Sequence, residues 1–137
     1  MIHERIIVPF RRWHLEWMDP QHATRYAEAI AQLEGAHSWV AVVDGDPIAC
    51  AGVMTQWPGR HSAWAYMSAK TGPHMRWLTR EVEARLPLYK GRIDMTVRRD
   101  FPAGLRWAKI LGFEIETPCL KGFGPEGEDH VGFVRFN

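Results

Sequence analysis

The sequence predicts an α/β domain built on a single sheet with helices on both faces. Short apolar runs alternate with longer segments whose apolar residues recur at three- and four-residue steps. Clusters of Gly, Pro and Asp punctuate these segments and set their ends. The resulting order is strand, helix, three strands, helix, strand, helix, two strands, and a shared sheet is what would bury the helical stripes. A chain of 137 residues, 46% of them apolar, suits one domain with one core, residues 1–137.

Ile6 to Phe10 is the first strand candidate, followed by a basic and aromatic stretch from Arg11 to Met18. Asp19-Pro20 reads as a helix start, because Asp caps free N–H groups and Pro fits the first turn. Ala23, Tyr26, Ala27, Ile30 and Leu33 then form one helical stripe, and Gly35 stops it. Ser38–Val43 and Ile48–Trp57 are strands joined by the turn Asp44-Gly45-Asp46-Pro47 and should pair antiparallel, with Gly52 a bulge candidate. Ala63–Ser68 is the next strand, with Trp64, Tyr66 and Ser68 on one face.

Thr71-Gly72-Pro73 opens a helix whose buried side is Met75, Leu78, Val82 and Leu86, and Pro87 ends it. Arg92–Arg98 alternates cleanly, with Ile93, Met95 and Val97 against Asp94 and Thr96. A helix over Asp100–Leu111 has Pro102 in its first turn and stops at Gly112. Phe113–Leu120 and Val131–Phe136 are the last strands, linked by a Gly-rich, acidic loop from Gly122 to Asp129.

Composition excludes several classes. A formal charge of +1, with arginines interleaved among acids, argues against electrostatic binding of nucleic acid or membranes. No apolar stretch reaches membrane-span length, and none near the N-terminus suits a signal peptide. Cys50 and Cys119 form no disulfide framework or zinc spacing, so a reducing cytoplasm is the expected location. The seven histidines lack metal-ligand spacing, and no metal is expected. Cys50, in an apolar run, reads as a buried thiol. The seven tryptophans read as large core filler, or as a partner surface if clustered outside.

The element order resembles the GNAT superfamily of N-acetyltransferases. The match is strongest over Val97–Phe113, where a strand, Arg98-Arg99-Asp100 and a helix lead to Leu111-Gly112-Phe113 and then to acidic Glu114-Ile115-Glu116. The hairpin Trp39–Met54 is similar to the family's second and third strands, and the resemblance spans roughly residues 38–136. Trp57-Pro58-Gly59 and Trp64-Ala65-Tyr66 also resemble small GNAT-like proteins of tailed bacteriophages, which would place the chain in a host cytoplasm.

The resemblance implies a mixed, mostly antiparallel sheet with a central splayed parallel pair, Ala63–Ala69 and Arg92–Arg98. It also implies acetyl-CoA as co-substrate. The pantetheine arm would pair with the splayed strands. The pyrophosphate would meet N–H groups at the following turn and helix start, Ala69 to Met75. Residues expected at this site are Met67, Ser68, Ala69, Lys70, Gly72, His74, Arg76 and Arg80. The chain departs from the family loop: only Gly72 matches it, with Ala69 at the usual Gln/Arg position and His74 at the second small position. His74 would crowd the phosphate or donate a charged hydrogen bond to it. The late helix has Ala108 where many relatives carry a thiolate-protonating tyrosine, and Phe101 where an asparagine is frequent.

Two candidates remain for proton transfer, Tyr66 as acid and Asp94 as base, each of which could instead be structural, as a core ring and a partner of a neighbouring arginine. The tetrahedral oxyanion would be held by the Met67 or Ala69 N–H. The activity implied is acetyl transfer to an amine of a small molecule or host protein. The alternative is an inactive protein of this fold that binds a host enzyme or serves in a virion.

Overall fold

A computed structural model of the chain describes residues 2–35 and 37–137. Seven strands form one sheet: β1 Arg5–Pro9, β2 Ser38–Val43, β3 Asp46–Trp57, β4 Arg60–Met67, β5 Arg92–Arg98, β6 Glu114–Leu120 and β7 His130–Phe136. The strand order is β1-β2-β3-β4-β5-β7-β6. The β4–β5 pair is parallel, whereas β1–β2, β2–β3, β5–β7 and β6–β7 are antiparallel. The parallel ladder joins Arg60–Ser62 to Arg92–Asp94, which precedes the expected Ala63–Ala69 on one strand and takes up the start of the expected Arg92–Arg98 on the other. The helices are α1 Arg12–Met18, α2 Pro20–Arg25, α3 Ala27–Ala31, α4 Met75–Arg85 and α5 Pro102–Ile110.

The fold separates into two compact units, Met1–Met54 with Trp64–Leu78, and Thr55–Ala63 with Thr79–Asn137. In the first, β2 divides its side chains between two cores, because successive strand residues face opposite ways. Val40 packs with Phe10, Leu15, Ala23, Ile30 and Cys50. Ala41 and Val43 pack with Ile48, Ala49 and Leu78. Helices α1–α3 thus cover one face and the start of α4 the other. In the second unit Ile93, Ala108, Leu111, Phe113, Val131 and Phe133 are buried. There the Trp107 indole N–H donates to Thr79 Oγ1 at 2.9 Å, joining α5 to α4.

The structure adds to the sequence reading and corrects it in places. The Arg11–Met18 stretch is a helix, started by the Arg11 N–H donating to His14 Nδ1 at 3.0 Å. The single helix expected after Pro20 is interrupted at Tyr26 (φ −116°, ψ 31°). Hydrogen bonds from Tyr26 N to His22 O and from Ile30 N to Tyr26 O carry the stripe across that break in phase. On the β2 side Gly52 stands in register with Ser38, and the irregularity lies between Ala41 and Val42. Its hydrogen is needed because a Cβ there would sit 2.6 Å from the Trp64 indole nitrogen. The tryptophans do not fill the deep core either: Trp13, Trp17 and Trp57 are exposed and the other four half-buried.

Candidate functional site

The end of β4 turns tightly into α4. Ser68 N–H donates to Ile48 O, and Ser68 O then accepts from both the N–H and the hydroxyl of the buried Thr71. Lys70 N–H reaches Ser68 Oγ at 3.3 Å. A single 3₁₀ turn, Gly72–His74, follows, with His74 N–H donating to Thr71 O at 2.8 Å. Among the described residues, the N–H groups of Ala69 and Gly72 are taken by no hydrogen bond. Nothing lies within 4 Å of the position a Gly72 side chain would start from. A helix start with unpaired N–H groups and open space above a glycine is the arrangement an anionic phosphate needs.

The predicted site residues divide around this turn. Met67 closes β4 and packs half-buried against the core cluster that contains Ile48 and Leu78. Ser68 Oγ is engaged by the turn. Lys70 is exposed and its ammonium donates to Asp46 Oδ2 at 2.5 Å, a surface pair that a phosphate could compete for. Arg76 is exposed on the first turn of α4. Arg80 is exposed too, on the part of α4 that belongs to the second unit.

His74 points away from the turn. It is 6% exposed, accepts from Arg5 Nε at Nδ1 (3.2 Å) and meets the His3 ring edge-on at 5.0 Å. Burial, then the Arg5 charge, push its pKa down, so the ring is neutral at pH 7. Its Nδ1 is thus already engaged by Arg5.

The two proton-transfer candidates are held by structural partners. Tyr66 donates its hydroxyl to Asp19 Oδ2 at 2.6 Å, while Asp19 Oδ1 accepts from His22 N–H and caps α2. Burial, then the Asp19 carboxylate, push the Tyr66 pKa up to about 12. A phenol that weak is poorly matched to a thiolate whose thiol has a pKa of roughly 8.5. Asp94 accepts from Ser62 Oγ at 3.0 Å and pairs with Arg60 and Arg92 at 3.3 and 3.4 Å. Sequence reasoning found Asp19 as a cap but not as the partner of Tyr66; the two lie 47 positions apart.

Ala108 is fully buried, so the place of the family's tyrosine is inside the core of the second unit. Cys50 is 2% exposed and burial raises its pKa to about 12, which removes it as a nucleophile. Among the described residues no group of three or more His, Cys, Asp or Glu is placed to hold a metal. None of their helices is long and apolar enough to cross a membrane.

No family model matches the chain, and no curated protein matches it in sequence. Solved structures do. Ard1 from Thermoplasma volcanium superposes with a TM-score of 0.73 at 13% identity, covering 96% of each chain. A GNAT-family acetyltransferase from Bacillus anthracis gives 0.69 at 12%, covering 96% of this chain and 94% of its own. The ribosomal-protein-S18-alanine N-acetyltransferase from Escherichia coli gives 0.66 at 15%, covering 96% and 92%. The chain therefore has the fold of the GNAT acetyltransferases.

Proposed function

We propose that the chain is a GNAT-type N-acetyltransferase that moves an acetyl group from acetyl-CoA to an amine of a small molecule or a protein. The observation that carries this reading is the turn after β4, where, among the described residues, the Ala69 and Gly72 N–H groups have no hydrogen-bond partner and the space above Gly72 is open. Those two groups would hold the pyrophosphate, with Lys70 and Arg76 adding positive charge. The thioester supplies an acyl group already bonded to a good leaving group.

The residues of this chain then have a modest task. They bind and orient the acyl donor and polarise its carbonyl through a backbone N–H at the end of β4. The buried, neutral His74 supports the turn from beneath. Tyr66, fixed by Asp19, shapes the wall of β4 rather than protonating the thiolate. A thiolate can leave without a protein acid, because a thiol with a pKa of roughly 8.5 makes it a good leaving group, and water protonates it afterwards. The expected enzyme is slow, since acid–base groups contribute about a hundredfold to ten-thousandfold where present.

A second reading is favoured by one observation: both proton-transfer candidates have their polar atoms engaged by neighbours. A protein of this fold that binds a partner, such as a host enzyme, without catalysis would show that arrangement. The two readings separate by experiment. Thermal unfolding with and without millimolar acetyl-CoA, followed by a CoA-release assay over a panel of amines, tests the first. No stabilisation and no release would overturn it and leave the binding reading.

A further inference from the structure

Away from that turn, the second unit contains a hydroxyl, an imidazole and a carboxylate in line. Thr96 Oγ1 lies 2.9 Å from His130 Nδ1, and His130 Nε2 lies 3.3 Å from Glu128 Oε1. The backbone builds this line. Thr96 on β5 stands opposite Gly132 on β7, so His130, two residues before Gly132, is its diagonal neighbour on the same face.

The loop before β7 is shaped around the carboxylate. Glu128 Oε2 accepts from Glu126 N–H at 3.0 Å, and Gly124 N–H donates to Glu128 O at 3.0 Å. A Cβ on Gly124 would collide with the Glu128 carboxylate, so the glycine makes the space the acid occupies. Gly122 N–H donates to Asp129 Oδ1 at 2.9 Å and fixes the loop's entry. Phe123 covers the imidazole, with ring centres 5.4 Å apart.

The chemistry of the three groups sets the direction of the protons. Hydrogen bonds, first from its own backbone and then from His130 and Glu126, hold Glu128 below the usual carboxylate range, so it is ionised and can only accept. His130 must therefore carry its proton on Nε2. In the neutral ring Nδ1 then accepts, and Thr96 must donate to it. This is a hydroxyl aimed at a general base that is oriented by an acid.

We propose that Thr96 is a nucleophile activated by His130, and that this unit cleaves short-chain acyl esters through an acyl-Thr96 intermediate. Thr96 Oγ1 attacks the acyl carbon and its proton passes to Nδ1 of His130. The C–O bond to the leaving alcohol breaks, and His130 returns the proton to that alcohol. Water then attacks the acyl-threonine, giving a proton to His130, which restores it to Thr96 as the carboxylic acid departs. Arg98, two residues from Thr96 on the same face and opposite His130, is held by Asp100 at 3.1 and 3.2 Å and must exchange that partner to meet the oxyanion. Thr96 and His130 are the catalytic residues; Glu128 is a positioning residue. This activity is separate from the acetyl-CoA reading and needs no nucleotide.

The sequence makes the test clean. Trypsin releases Ile93–Arg98, in which Thr96 carries the only hydroxyl and no lysine, histidine, tyrosine or cysteine competes for the label. Incubating the full chain with p-nitrophenyl acetate and quenching in acid should leave an acetyl group on that peptide. Thr96→Ser should keep the label and Thr96→Ala should lose it. His130→Asn should slow labelling by about a hundredfold or more. Glu128→Gln should lower the labelling rate at saturating ester while leaving the half-saturating ester concentration unchanged. An unlabelled peptide in the wild type and Thr96→Ser chains, each shown to be folded by circular dichroism, overturns the proposal. So does equal labelling of wild type and His130→Asn. Neither result bears on acetyl-CoA binding at Gly72, which is measured without an ester.

Discussion

The Tyr66 hydroxyl donates to Asp19 Oδ2 at 2.6 Å and so ties the middle of the sheet to the first turn of α2. The bond holds the cap as well as the ring, because the other Asp19 oxygen accepts from His22 N–H. Tyr66→Phe should lower stability by about 1 kcal/mol, the net value of one such bond. Hydrogen bonding, first from Tyr66 and then from His22, depresses the Asp19 pKa. That stability is therefore present above the unfolded carboxylate value and lost as pH falls through the lower folded one. Urea unfolding should show wild type and Tyr66→Phe apart at pH 7 and converging as pH falls through the lowered folded value of Asp19. A constant gap across that range would contradict the assignment.

His74 and His14 work in the opposite chemical sense with the same pH sign. Burial, the leading cause for each, disfavours their charged forms and lowers their pKa. The unfolded chain binds their protons first, so stability should be full above about pH 6.5 and decline as pH falls toward the lower folded values. His74→Gln keeps an acceptor for Arg5 and should flatten part of that decline between pH 7 and 5. An unchanged slope would show that His74 titrates normally.

Gly72 has no positive φ and open space above it, so a large side chain should fold there without strain. Gly72→Trp is expected to melt within a degree or two of wild type and to lose the stabilisation by CoA. For the wild type, ligand at a hundred times its dissociation constant should add about 2.7 kcal/mol, a shift of several degrees. Equal shifts in both chains would move the phosphate site elsewhere.

Gly52 is the contrasting case. A Cβ there would lie 2.6 Å from Trp64 Nε1 and 2.8 Å from His37 O. Gly52→Ala should cost about 1–3 kcal/mol, the usual range for overpacking. Chemical denaturation measures this directly, and a neutral substitution would mean that Trp64 moves freely.

Placing a tyrosine at position 108 should harm the protein rather than improve it. Ala108 is fully covered, with its carbonyl accepting from Phe113 N–H. Ala108→Tyr is expected to destabilise by about 1–3 kcal/mol or more, with no gain in CoA release. A stable variant with a raised rate would contradict this expectation.

Much of the framework was legible because its signals are local. Alternation of Ile93, Met95 and Val97 marks β5, and Pro102 and Gly112 bracket α5. Asp19-Pro20 announces a cap that forms as expected. α1 was missed because its polarity pattern is reversed: His14 is inside while Trp13 and Trp17 are exposed. The close packing at Gly52 was out of reach for a different reason, since the group that forbids a side chain there, Trp64, is on another strand. At the site, Gly72 could be found from the strand-to-helix punctuation. The inward turn of His74 and the engagement of Tyr66 by Asp19 depend on partners 69 and 47 residues away. No spacing rule reaches that far.

The glycine beneath the Glu128 carboxylate has a consequence for descent. Any side chain at position 124 would evict the acid from its place beside His130, whereas a change at 128 leaves Gly124 harmless. The dependence between the two positions therefore runs one way. Lineages that keep a glutamate at 128 should keep the glycine, and those that have lost the glutamate should let position 124 drift.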